Sequence, residues 1–259
     1  MAARALEESG ALVVGGTAGI GLASARALLR AGVPRLVVAG RSAERGAAVR
    51  AQLADMFPSA DVGYVGVDAT RPADLEALVV EAASRLGRID VLVSSAGGDP
   101  RPKLLHEIPL DAVMPTIEMV AGGTILPARA VLAHMMAQGG GSVICLASDA
   151  AKVATPGEAV IGAAMAAIVM FCRGMAWEAK RSGIRVNCLT PSVVADTPLY
   201  ARLKDDAFSR KLFAKAETMA DLGLVTSADL AELVVFLASP AAARITGQTI
   251  SVTGGISAV

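Results

Sequence analysis

Ala11-Leu12-Val13-Val14-Gly15-Gly16-Thr17-Ala18-Gly19-Ile20-Gly21-Leu22-Ala23-Ser24-Ala25 is the stretch that decides the fold. A short apolar run, a Gly-rich turn and an Ala/Leu-rich helical pattern make a strand–turn–helix unit. Gly15, Gly19 and Gly21 stand in GxxxGxG spacing. Three glycines there make sense if a pyrophosphate must approach the backbone. The first permits the tight turn, the second lets the phosphates close in, and the third lets the helix pack on the strand. The helix N-terminus then offers N–H groups and a positive dipole end to the anion. The alternative is a Gly-rich turn that holds no ligand.

The rest of the chain continues the alternation. Residues 36–39 read as a second buried strand, ending at Gly40-Arg41-Ser42. In a dinucleotide fold this strand end faces the adenosine ribose, where an acid holds the 2′-hydroxyl of NAD and an arginine accommodates the 2′-phosphate of NADP. Gly40 stands where the acid belongs and Arg41 follows, so NADP(H) is expected over NAD(H). The alternative is that Arg41 only caps the strand end. A helix over 43–56 leads to a third strand, 62–67, closed by Asp68-Ala69-Thr70. Asp68 either meets the adenine edge or caps the turn to Asp74.

A helix over 72–86, a fourth strand at 89–93 and the small-residue run Ser94-Ser95-Ala96-Gly97-Gly98 come next. That run lets a cofactor lie flat across the strand end. A helical stretch follows over 110–138, expected to break near Gly122-Gly123. Strands at 142–146, 185–189 and 248–252 alternate with helices over 157–181 and 227–238, and a polar segment spans 192–220. Such alternation with short connections predicts one α/β domain over 1–259, a doubly wound parallel sheet of Rossmann type with helices on both faces. No linker, repeat or low-complexity segment interrupts it.

The totals fit one domain of 259 residues with a large core. Equal numbers of acidic and basic side chains, 24 each, argue against nucleic acid or an anionic membrane surface as the main partner. The longest nearly unbroken apolar run, 159–172, reads as too short to span a bilayer. The polar N-terminal stretch does not read as a signal peptide. Cys145, Cys172 and Cys188 lack CxxC spacing and sit in apolar surroundings, which predicts buried thiols, no metal site and a reducing, cytoplasmic compartment. A mean hydropathy of +0.55 points to buried subunit interfaces.

Over nearly its whole length the sequence resembles the short-chain dehydrogenase/reductase family. The resemblance rests on Gly15-x-x-x-Gly19-Ile20-Gly21, Asp68, Ala96-Gly97, Gly140-Gly141-Ser142-Val143, Ser148, Gly183-Ile184-Arg185-Val186-Asn187 and Pro191. Phe236-Leu237-Ala238-Ser239, Ile245-Thr246-Gly247-Gln248 and Gly254-Gly255 complete it. It implies a nicotinamide cofactor held by Gly15, Thr17, Gly19, Ile20, Gly21, Arg41, Ser42, Asp68, Ala69, Ala96, Gly97 and Pro191, with Thr197 on the carboxamide. It also implies dimers or tetramers built through the long fourth and fifth helices. The usual chemistry is hydride transfer between the nicotinamide and an alcohol or ketone, with the 192–220 segment as substrate lid.

The chain departs from the family at the chemistry. A Tyr-x-x-x-Lys pair normally begins 13 residues after the catalytic serine. Counting from Ser148 puts Ile161 at the tyrosine position and Met165 at the lysine position. Tyr64 and Tyr200 are the only tyrosines, and neither falls in that helix. Val120 takes the place of the family's helix asparagine, Ser94 and Ser95 replace paired asparagines, and Pro191-Ser192 replaces Pro-Gly. In the family the tyrosine moves the hydroxyl proton and the lysine lowers its pKa and holds the ribose. General acid–base help of that kind contributes about 10²–10⁴ in rate.

Replacements are few. Ser148 either polarises a carbonyl or imine or caps the strand end. Asp149 and Lys152 either shuttle a proton or are solvated loop charges, and Asp99, Arg101 and His106 are comparable. Arg129 meets an anionic substrate or an interface acid. Glu158 sits at the pocket mouth or is a helix N-terminal acid. Ile161 and Met165 share a helix face and make an apolar pocket floor.

Three functions remain. The first is an NADP(H)-dependent enzyme reducing an activated C=N, C=C or C=O bond of a small molecule without the tyrosine acid, as a homodimer or homotetramer. The second is a non-catalytic subunit in a hetero-oligomer with an active relative. The third is non-redox chemistry in the same pocket.

Overall fold

Seven strands lie side by side in the order β3-β2-β1-β4-β5-β6-β7, every neighbouring pair parallel. They are β1 (Gly10–Val14), β2 (Arg35–Gly40), β3 (Asp61–Gly66), β4 (Val91–Ser94), β5 (Gly141–Leu146), β6 (Ile184–Pro191) and β7 (Thr249–Val252). The computed structural model describes residues 3–98 and 100–259. The central strands are buried on both faces, as a parallel sheet between helix layers requires: all of β1, β4 and β6 is buried.

The helices are α1 (Gly19–Arg30), α2 (Ala43–Met56), α3 (Pro72–Leu86), α4 (Leu110–Gln138), α5 (Ala159–Ala179), α6 (Pro198–Asp205), α7 (Ala207–Glu217) and α8 (Ser227–Ala238). One core packs α3, α4 and α5 on one face, around Leu92, Val143 and Val186. The other packs α1, α2 and α8 on the opposite face, around Val13, Val38 and Ile144. The chain leaves β1 toward β2 on one side and returns to β4 on the other. The sheet therefore has its topological switch between β1 and β4, where open α/β sheets place ligands at the carboxyl ends of the strands.

Several matched motifs are structural. Arg185, 8% exposed, donates to the carbonyls of Leu237, Ala238, Ser239 and Ala242 and so closes the C-terminal end of α8. Burial pushes its pKa down, and those carbonyls hold the charge. Asn187 ties β6 to the approach of β7: its amide donates to Ile245 O at 3.1 Å and its carbonyl accepts from Gln248 N at 3.1 Å. The three cysteines are free and buried.

Two expectations are corrected. The helix over 110–138 does not break at Gly122-Gly123 but runs unbroken. Gly123 serves close packing instead: a Cβ there would lie 2.6 Å from Ala96 O. The 14-residue apolar run is only the first part of α5, and its helix continues through a 3₁₀ turn to Ser182. By length and composition this helix and α4 are both long and apolar enough to cross a membrane. Here their inner faces pack on the sheet through residues such as Val120, Ala128, Ile168 and Cys172. The polar segment 192–220 also has more order than its composition suggests, since it carries α6 and α7.

Candidate functional site

A cavity of about 590 Å³ opens along the carboxyl ends of β1, β2, β4, β5 and β6. It falls within the ~300–1,000 Å³ usual for small-molecule and cofactor sites. Gly15, Thr17, Gly19, Ile20 and Gly21 line its first wall. Gly15 has φ +82°, a conformation that L side chains rarely adopt, and its N–H donates to Ala39 O at 2.9 Å. A Cβ on Gly21 would collide with the Gly15 carbonyl and stand 2.6 Å from Ser95 Oγ. Gly19 is different: its nearest neighbour would be Thr197 Cγ2 at 3.6 Å, so its open side faces the cavity. Ala18 caps α1 without a side-chain bond, and the first intrahelical donor is Leu22 N, leaving the N–H groups before it available to an anion.

The second wall is the end of β2 and β3. Gly40, Arg41, Ser42, Arg45, Asp68, Ala69 and Thr70 line it. Ser42 caps α2, accepting from Arg45 N at 3.3 Å. Arg41 is exposed and engages no helix cap. Asp68 answers to both of its readings. It lines the cavity, and its Oδ1 accepts from Thr70 Oγ1 at 2.7 Å and Thr70 N at 3.0 Å. Those bonds, with help from the Arg41 and Arg71 charges, hold its carboxyl below the usual range.

The floor is the Ser94–Gly98 run. Ser94 Oγ donates to Thr124 O at 3.0 Å and Ser95 Oγ to Val14 O at 3.2 Å, so both serines are spent on backbone. Thr124 Oγ1 in turn donates to Ala96 O at 2.9 Å. Ala96, Gly97 and the fully buried Val120 face the cavity.

Ser148, Glu158, Ile161, Met165, Pro191 and Thr197 surround the far end. Ser148 lines the cavity and also accepts from Ala150 N at 3.3 Å, leaving its own O–H as a donor. Ile161, 8% exposed, and Met165 form an apolar wall on α5. Thr197 caps α6: it donates to Val194 O at 2.9 Å and accepts from Tyr200 N at 3.2 Å. Glu158 is the carboxylate of this end, and burial pushes its pKa up.

Other candidates fall elsewhere. Lys152 turns to Ser251 and to Val259 O, and Asp149 is buried and lines no part of the cavity. Arg101, His106 and Arg129 are exposed and line no part of the cavity, and Asp99 lies outside the described residues. Among the described residues no group of three or more His, Cys, Asp or Glu is gathered to hold a metal ion. The sequence reading missed Arg45 and Thr70 at one end, whereas Tyr200, Arg202 and Phe213 at the other fall within the 192–220 segment it takes as the lid. Arg45 follows Arg41 by four residues, in the first turn of α2, a second basic residue that would have flagged it. The last three arrive only because α6 and α7 fold over the opening.

The family model described as enoyl-(acyl carrier protein) reductase matches residues 14–257. The cis-4-hydroxycyclohexanecarboxylate dehydrogenase of Sinomonas cyclohexanicum is 35% identical over 255 residues, 98% of this chain and 99% of that protein. A short-chain type dehydrogenase/reductase from Mycobacterium ulcerans superposes with a TM-score of 0.89 at 26% identity, covering 98% of this chain and 91% of that one. A short-chain oxidoreductase from Pseudomonas aeruginosa PAO1, solved with NADPH and described as containing an atypical catalytic center, gives 0.88 at 29% identity, with 98% of each chain covered. With its glycine-lined cavity at the switch of a seven-stranded parallel sheet, the chain belongs to the short-chain dehydrogenase/reductase family of oxidoreductases.

Proposed function

We propose that this chain is an NADP(H)-binding oxidoreductase with an atypical active site. Ile161 and Met165 stand at the family's tyrosine and lysine positions, and the substrate is an activated C=N, C=C or C=O compound. One observation carries the reading: the glycine cradle keeps its close packing and open side, while the same cavity has Ile161 and Met165 in its α5 wall. Gly15, Gly19 and Gly21 would hold the pyrophosphate, Arg41 a 2′-phosphate, and Pro191 and Thr197 the nicotinamide side. A bound nicotinamide supplies or accepts hydride. Ser148 orients the substrate heteroatom through its O–H, and the segment 192–220 serves as a lid that excludes water. Three buried thiols support a reducing, cytoplasmic setting. The NADPH-bound Pseudomonas relative supports the cofactor class.

The test is titration of the purified protein with NADPH and, in parallel, NADH. Micromolar NADPH binding with much weaker NADH is expected. Failure of both to bind at about millimolar concentration, weaker than roughly −4 kcal/mol, overturns the reading.

A second reading, a non-catalytic subunit paired with an active relative, is favoured by exposed apolar side chains on α4 and α5. Met114, Met170 and Trp177 are 66%, 63% and 74% exposed. The first reading uses the same faces for a homodimer or homotetramer. Isolation from the native source separates the two: a complex without a tyrosine-containing relative rules out the second.

A further inference from the structure

Glu158 occupies the N-cap position of α5 but makes no capping hydrogen bond. A solvated acid at a helix N-terminus is held in its charged form by the dipole. Glu158 is held the other way. Burial raises its pKa, the charge of Asp149 pushes in the same direction, and only the bond to the Thr155 hydroxyl opposes them. Asp149 is itself 5% exposed, its Oδ1 lacks a hydrogen bond, and Lys152 Nζ stays 4.0 Å away, drawn off by Ser251 and Val259 O. The other charged groups on elements packed nearby are Arg101 and Lys103 on the loop after β4 and Arg202 and Arg210 on the lid. The charge of Asp149 raises the Glu158 pKa beyond what burial does.

Glu158 also lines the cavity beside the two positions where the family's pair would stand. Glu158, Ile161 and Met165 follow at i, i+3 and i+7, on one face of α5, and all three line the cavity with Ser148. The segment is pinned from two sides. Gly157 O accepts from Lys103 N at 2.8 Å, and a Cβ on Gly157 would lie 2.5 Å from the Phe208 ring of α7. The lid and the β4–α4 loop therefore meet at the residue next to Glu158.

We propose that Glu158 is the proton donor of this site, a carboxylic acid one helical turn before the position that the family gives to tyrosine. The proposal rests on the oxidoreductase reading above. In the step, the Glu158 O–H bond breaks and its proton passes to the substrate nitrogen or oxygen, which takes the π electrons of the C=N or C=O bond. The carbon gains hydride from a reduced nicotinamide. The substrate is reduced, the nicotinamide oxidised, and the carboxylate takes its next proton from water at the cavity mouth.

The first test needs no turnover: the Tm of the wild type and Glu158→Gln, followed from pH 4 to pH 9. A carboxyl whose pKa is raised by folding contributes stability below its unfolded pKa and loses it as pH rises through the folded value. The two proteins should melt together at pH 4, and Glu158→Gln should melt higher as pH rises. A lower Tm for Glu158→Gln at neutral pH marks a helix-capping acid and overturns the proposal. The second test is single-turnover reduction of a cyclic imine by the NADPH-loaded protein. Glu158→Gln should lose about 10²–10⁴-fold in rate with the NADPH Kd unchanged and the pH dependence flattened. Glu158→Asp should retain a pH-dependent rate. Turnover unaltered in Glu158→Gln sinks the proton-donor role alone. Failure of the wild type to bind NADPH sinks the oxidoreductase reading and this role with it.

Discussion

At one end of the cavity, between β1 and α1, the wall is backbone: Gly15 with its positive φ, the open side of Gly19 and the tight contact of Gly21. At the other end, on α5, the wall is side chain: Ile161, Met165 and Glu158. The two differ in what holds them in place. Gly21 cannot change without moving the Gly15 carbonyl and Ser95, so the glycine end is bound up with the packing of α1 on the sheet. Ile161 and Met165 lie at the N-terminal end of the buried face of α5, where that face overlooks the cavity, while Ala164, Ile168 and Cys172 on the same face carry the packing further along, so the two positions can change while the fold stands. On the function proposed above, the scaffold keeps its cradle and replaces its catalyst.

Placing a tyrosine and a lysine at the two proposed positions is the most forceful way to break this comparison. Ile161→Tyr with Met165→Lys should raise NADPH-dependent ketone reduction by about 10²–10⁴-fold, read as the initial rate of NADPH oxidation. A folded, NADPH-binding double variant with no gain would mean that the catalytic register lies elsewhere. Gly21→Ala probes the opposite end. Overpacking of this kind costs about 1–3 kcal/mol, a drop of several degrees in Tm, and NADPH binding should vanish with it. A variant that melts like the wild type and still binds would show the cradle to be tolerant. Arg41→Ala is milder. Loss of a charged hydrogen bond of about 1.5–3 kcal/mol should weaken NADPH about 10- to 100-fold and leave NADH unchanged; equal loss for both cofactors would count against a 2′-phosphate contact. The smallest effect belongs to Asp68→Asn. Folding lowers the Asp68 pKa, so its contribution is present above the unfolded value and disappears as pH falls through the folded one. The variant should melt slightly lower at pH 7, and the gap should close in acid.

The same contrast governs what could be read from the residues. Parallel strands buried on both faces write themselves as apolar runs, so all seven strands were legible to within about two residues. The cradle was legible because a backbone-made site demands glycine at fixed spacing. Gly122-Gly123 misled because a glycine that permits close packing looks the same in sequence as one that ends a helix. The segment 192–220 hid α6 and α7 because both are short and polar overall, so few apolar residues mark their inner faces. Tyr200, Arg202 and Phe213 reach the cavity only through that tertiary fold.

The three cysteines carry a practical consequence. Cys145 and Cys188 are register partners on β5 and β6, and Cys172 reaches them from α5. Its bond with Cys145 and its burial raise the Cys172 thiol, and its bond with Cys172 and its burial raise that of Cys188. A thiol kept protonated in the middle of the sheet does not react until the sheet parts. The rate at which a thiol reagent labels native protein thus counts openings of the central strands. The molecule contains its own clock for those events, with no added probe, and a cofactor that grips the switch between β1 and β4 should slow it.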